Sequence, residues 1–218
     1  MPLYDIGDQL YFEGNYTEAA EAFKECIRQE IELNSSMNYL GCCEMNLGNL
    51  DQAMSLFDQI IERDSSWEAP FYNKARVMMK LGKYKEAEEL LNKSLEINEN
   101  NEDTYYYLGV FHEKQGNLIE AENAYIKSVN IEPAQPETLL NYGVVLNKLG
   151  MRNEAEEKFL EVVQLDPTES RTLWNLAHIN IGRSDYYEAK RYLERFLALD
   201  ANDQEAIKLI SKLNKKLM

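Results

Sequence analysis

One eleven-residue motif returns every 34 residues along this chain. EGNYTEAAEAF opens at residue 13, LGNLDQAMSLF at 47, LGKYKEAEELL at 81, QGNLIEAENAY at 115, LGMRNEAEEKF at 149 and RSDYYEAKRYL at 183. Six copies without insertion or deletion define a repeat architecture, in which each unit leaves an apolar face for the next to cover. A fold that buried the chain around one irregular core would not keep this spacing.

Three ladders of small residues describe the unit. Gly14, Gly48, Gly82, Gly116 and Gly150 each follow about a dozen residues of helical periodicity. A helix needs a left-handed terminating residue there, and glycine adopts it at little cost. Gly7, Gly41, Gly109 and Gly143 lie inside the preceding helix, with Ala75 and Ala177 on the two remaining rungs. Glycine inside a helix costs about 1 kcal/mol against alanine, so another backbone is expected to come close. The third ladder, Ala19, Ala53, Ala87, Ala121, Ala155 and Ala189, has no exception. A large side chain follows each alanine four residues on (Phe23, Phe57, Leu91, Tyr125, Phe159, Leu193), on the same helical face. The five prolines stand near helix starts or between units. Each unit therefore reads as two antiparallel helices, A and B, joined by a short turn.

These residues resemble the tetratricopeptide repeat (TPR) family. Residues 102–135 supply its pattern in full, with Tyr105, Leu108, Gly109, Ala121, Tyr125 and Pro133 at the fourth, seventh, eighth, twentieth, twenty-fourth and thirty-second places. The departures are Lys74 at a normally apolar seventh place, Ser184 for a turn glycine, and no proline after the first three units. The resemblance implies an all-α, right-handed superhelical α-solenoid of six helix-turn-helix repeats. They would occupy 1–33, 34–67, 68–101, 102–135, 136–169 and 170–203, with a C-terminal capping helix at 204–218. In that last helix Asn202 and Glu205 have capping-box spacing. Ile207, Ile210, Leu213 and Leu217 fall on one side and four lysines largely on the other.

The family's arrangement also implies a concave groove lined by the A helices. Its fifth places hold Tyr72, Tyr106, Leu140 and Trp174, and its ninth places Arg76, Val110, Val144 and His178. Asn141 stands at a sixth place, and Lys80, Lys114 and Lys148 at thirteenth places. Tyr105 is expected to pack on its own helix B, Tyr107 toward the neighbouring repeat or groove edge, and His112 into the packing. Cys42 is expected to face the groove and to be the thiol that reacts, with Cys26 and Cys43 inert. Helices packed about 8–10 Å apart give a groove on the order of 50 Å long. At about 3.3 Å per residue it would hold some 15 residues of extended peptide, or clasp a partner's helix.

Composition narrows the function classes. The net charge of −15, of which −10 falls in residues 1–67, argues against a phosphate-backbone binder. The acidic first third is expected to be a solvated face, with a basic partner as the alternative. No apolar run is long enough for a membrane span, and MPLYDIGDQ lacks the basic start and apolar middle of a secretion signal. Three cysteines, an odd number without a C-x-x-C pair, point to reduced thiols and a cytoplasmic location.

Catalytic and phosphate-cradling motifs are absent. His112 and His178 stand nearly two repeats apart, too far to share a metal. No enzyme activity, cofactor or metal is therefore expected. The chain reads as a protein–protein interaction scaffold binding a peptide or helix, without nucleic acid or membrane, and with self-association possible. The alternatives are a targeting or substrate-recruiting domain of a larger enzyme or complex, or a co-chaperone. Of the family's two-carboxylate clamp, only Asn141 and Arg171 fit.

Overall fold

The computed structural model describes residues 1–217; Met218, the end of the expected capping helix, lies outside them. The described residues form thirteen α-helices and no strand, grouped into two compact units, Met1–Phe111 and His112 onward. The first unit contains α1 (Leu3–Phe12), α2 (Tyr16–Arg28), α3 (Leu33–Asn46), α4 (Leu50–Arg63), α5 (Ala69–Lys80), α6 (Tyr84–Ile97) and most of α7 (Glu102–Lys114). The second contains α8 (Leu118–Ile131), α9 (Pro136–Lys148), α10 (Arg152–Leu165), α11 (Ser170–Gly182), α12 (Tyr186–Leu199) and α13 (Gln204–Leu217).

Within each unit the chain stacks in order, as an α-solenoid does. In the first, α1 packs on α2, α3 on α4 and α5 on α6, while α2 meets α3 and α4 meets α5. The first helices of successive pairs also touch, α1 with α3 and α3 with α5. In the second unit α9 packs on α10 and α11 on α12, with α13 laid against α12.

The turns follow from backbone chemistry. After α9, Gly150 takes φ +84°, Gly150 N–H donates to the Asn147 carbonyl at 3.1 Å, and Met151 N–H donates to the Leu146 carbonyl at 2.9 Å. This paired closure satisfies carbonyls that the helix end would otherwise strand. Ser184 performs the same turn at φ 63° after α11, with Asp185 N–H on the Asn180 carbonyl at 2.9 Å. A β-carbon is tolerated there because nothing crowds a Cβ at the equivalent glycines. The start of α13 departs from the expected capping box. Asp203, not Asn202, caps the helix, accepting the Ala206 N–H at 2.7 Å.

The alanine ladder and its aromatic partners form the packed interior. Ala19, Ala53, Ala155 and Ala189 are wholly buried, as are Phe23, Phe57, Phe159 and Leu193. The sequence suggested that the intrahelical glycines admit another backbone, but at Gly7, Gly41 and Gly143 the nearest neighbour is a ring. A Cβ on Gly41 would lie 2.7 Å from Phe57 Cε1, and one on Gly143 would lie 2.6 Å from Phe159 Cε1. Lys74 resolves its departure from the apolar seventh place by reaching across to Asp58 on α4, where the two form an ion pair.

Candidate functional site

In the second unit, the first helices of two successive pairs and the loop before α13 enclose a cleft of about 480 Å³. That volume suits a side chain or short peptide element. Leu140 and Val144 from α9 and Trp174 and His178 from α11 line it, with Phe196 of α12 behind. Asn141, Asn175 and Arg171 stand around them, and Asp203 and Glu205 add carboxylates at the α13 end. Five residues that the family resemblance placed in the groove (Leu140, Asn141, Val144, Trp174 and His178) are thus brought together in space. Phe196, Asp203 and Glu205 were not foreseen. They come from α12, from the loop before α13 and from the first turn of α13, and the register reading assigned the groove to first helices only.

Local contacts fix the cleft's shape. Trp174 rests on Phe196, with ring centroids 5.3 Å apart, and on His178 at 4.8 Å. The His178 Nδ1–H donates to the Trp174 carbonyl at 3.0 Å, one turn back on α11. This bond fixes the ring's orientation on α11. Arg171 is tied down on both sides. Its guanidinium donates to both carboxylate oxygens of Glu137, at 3.2 and 2.7 Å, and to Glu169 at 2.7 Å. One of the two clamp-like residues is therefore already neutralised from within the fold. Lys148 is exposed and paired with Glu113 at 2.8 Å, while Lys114 is exposed.

The first unit holds a different arrangement. Tyr72, half-buried, stacks on Tyr107 with centroids 5.6 Å apart, and its hydroxyl donates to Asp103 at 3.1 Å. Tyr106 meets Tyr107 edge-on at 4.8 Å. The Arg76 guanidinium lies 4.6 Å above the Tyr107 ring, and its Nη1–H donates to Asn73 Oδ1 at 2.7 Å. Asn73 in turn donates through Nδ2 to Asn38 Oδ1 at 3.0 Å. Val110 is half-buried beside them in sequence, and Lys80 is exposed. One reading changes here. Tyr72 is part of a stacked group instead of a free-standing ring, and Asn73 beside it spends both ends of its amide inside the fold.

Cys42 also departs from expectation. It is buried under Arg76, with Sγ 3.8 Å from Nη1, because the first helices of adjacent pairs approach closely at this height. Burial raises its thiol pKa despite the adjacent guanidinium, so it is not a poised nucleophile. Burial also raises Cys26 and pushes Cys43 up to about 12. The hydroxyls of Tyr11, Tyr39 and Tyr72 are raised by burial as well. All these groups have folded pKa values above their unfolded ones. Their contribution to stability is therefore complete below pH 9, the unfolded thiol value, and is lost as pH rises through the folded values. The urea midpoint should fall steadily from about pH 9 to 12. Alkylation of all three thiols at neutral pH should wait for denaturant, and a fast-reacting thiol in the native chain would contradict this account.

Profile comparison decides the family. Tetratricopeptide repeat profiles match residues 4–68, 75–116, 102–135, 136–169 and 170–203. The chain belongs to the tetratricopeptide repeat family. TPR arrays generally mediate protein–protein interaction and are generally non-catalytic. No curated protein sequence matches the chain significantly.

Solved structures with the TPR fold superpose well at low identity. A chain of the APC/C hetero-tetramer Cut9–Hcn1 matches with TM-score 0.82 and 17% identity over 97% of this chain, which spans 42% of that one. PilF of Pseudomonas aeruginosa matches with TM-score 0.78 and 21% identity over 85% of each chain. YrrB, described as a TPR protein with an unusual peptide-binding site, matches with TM-score 0.62 and 23% identity over 87% of this chain and 97% of its own. Among the described residues, no TPR helix is long and apolar enough to cross a membrane.

Proposed function

We propose that this TPR array is a non-catalytic, cytoplasmic adaptor that holds a peptide segment or helix of a partner protein in a concave groove. The α9–α11 cleft would serve as an anchor pocket. The observation that supports this most is convergence. Trp174, Leu140, Val144 and Phe196 give apolar surface to a cleft of about 480 Å³ that Asn141, Arg171, Asn175 and His178 also line. Interfaces concentrate their energy in such places, where one aromatic or aliphatic anchor is desolvated and surrounded by polar contacts.

The co-chaperone alternative is weakened because Arg171 is already ion-paired with Glu137 and Glu169. A recruiting domain of a larger enzyme or complex would use the same surface. The test is quantitative capture of interacting proteins by immobilised wild-type chain and by Trp174→Ala. Circular dichroism must first show that the variant is folded. Truncating a central aromatic anchor costs about 2 kcal/mol or more, so a true partner should weaken roughly thirtyfold or be lost. Equal retention by both proteins would move recognition away from the cleft.

A further inference from the structure

Arg76 is a half-buried cation without a counter-ion. No carboxylate of the described residues lies within ion-pairing distance, in a chain where most other partly buried cations have one. Asp103, the carboxylate on the next first helix, is engaged by the Tyr72 hydroxyl instead. A guanidinium cannot shed its proton to escape desolvation, so its charge must be met by dipoles and by whatever binds. Only Nη1 finds acceptors, at Asn73 Oδ1 (2.7 Å) and the Cys42 sulfur (3.8 Å). Among the described residues Nε and Nη2 have no acceptor, and neither is a buried, solvent-sealed nitrogen. These two nitrogens form the fork that receives both oxygens of a carboxylate. The guanidinium is also held in place, with its carbon 4.6 Å above the Tyr107 ring and a tether through Asn73 to Asn38. Little further ordering would be required on binding.

We infer that Arg76, with Tyr107 and Asn73, is a socket for one Asp or Glu side chain of the bound partner segment. This deepens the adaptor reading and rests on it. The surroundings refine the partner's chemistry. Residues 1–111 carry a net charge of −12, so a polyacidic segment is repelled. The favoured ligand has a single acidic residue among neutral or basic neighbours.

Two measurements on the full chain separate the socket from the adaptor reading. The first follows the Arg76 Nε–Hε resonance during titration with N-acetylglutamate, with N-acetylglutamine as the neutral control. A saturable shift with glutamate alone is expected. Arg171, already paired with two carboxylates, should be unmoved. The absence of a shift, or an equal shift at Arg171, would overturn the socket.

The second selects a displayed random 15-residue peptide library on wild-type chain and on Arg76→Met, which keeps the apolar stem. Peptides selected on wild type should carry Asp or Glu at one fixed position. They should lose at least tenfold in affinity to Arg76→Met, while their Gln or Asn counterparts bind both proteins alike. Peptides enriched without an acidic position overturn the socket and leave the adaptor reading intact, as do peptides held only through their terminal carboxylate. Saturation by N-acetylglutamate with no peptide enriched would sink the adaptor reading and keep the carboxylate site.

Discussion

Gly143→Ala should destabilise the second unit by about 2–3 kcal/mol, although alanine is the better helix former by about 1 kcal/mol. The added methyl would sit 2.6 Å from Phe159 Cε1 and 2.9 Å from Cδ1, against a ring that is wholly buried. Neither partner can retreat, because packed interiors have no spare volume. The same molecule contains the solution to the clash. Where the rung is alanine, at Ala75 and Ala177, the partner sixteen residues on is Leu91 or Leu193; where it is Gly7, Gly41 or Gly143, the partner is phenylalanine. Phe159→Leu alone should cost about 1–2 kcal/mol through the space it leaves. The double variant Gly143→Ala, Phe159→Leu rebuilds the Ala177–Leu193 pairing and should recover most of the loss. Urea unfolding of the four proteins measures the coupling. Strictly additive losses would mean that the glycine is kept for another reason.

This pairing shows how far the sequence could be read. The 34-residue period, the turn glycines and the alanine ladder each translate into one local geometry, so helix order and turn positions were legible. The need for smallness at Gly41 and Gly143 was legible too, but not what demanded it. A ring and a backbone both exclude a Cβ, and only placement distinguishes them. The α9–α11 cleft was half legible. Register puts Leu140, Val144, Trp174 and His178 on one face, because that is a property of a single helix and its repeat. Phe196 reaches the cleft from α12, Asp203 from the loop before α13 and Glu205 from the first turn of α13, and no within-repeat register encodes that convergence. Cys42 failed for a related reason. Register gives its height on α3, but Arg76 from the next pair lies over it. Side chains on adjacent first helices settle which of these positions stay open, and that competition is three-dimensional.

Asn73 and Asn175, each the sixth residue of its 34-residue unit, put a magnitude on the same lesson. Asn73→Ala should destabilise the first unit by about 3 kcal/mol, whereas Asn175→Ala in the second should cost under about 0.5 kcal/mol. Asn73 is 2% exposed and sits between two groups that depend on it. Its oxygen accepts from Arg76 at 2.7 Å and its nitrogen donates to the buried Asn38 at 3.0 Å. Removing it takes a charge-assisted hydrogen bond, about 1.5–3 kcal/mol, from a cation with no carboxylate nearby. It also leaves the Asn38 oxygen without its donor. Asn175, half-buried at the cleft rim, donates only to the Arg171 carbonyl of its own helix at 2.8 Å, a contact that water replaces. Thermal or urea unfolding of each variant checks the contrast. Two equal, small losses would mean that solvent already satisfies Arg76 in the native chain. The Asn38–Asn73 link would then have little part in holding its guanidinium against Tyr107.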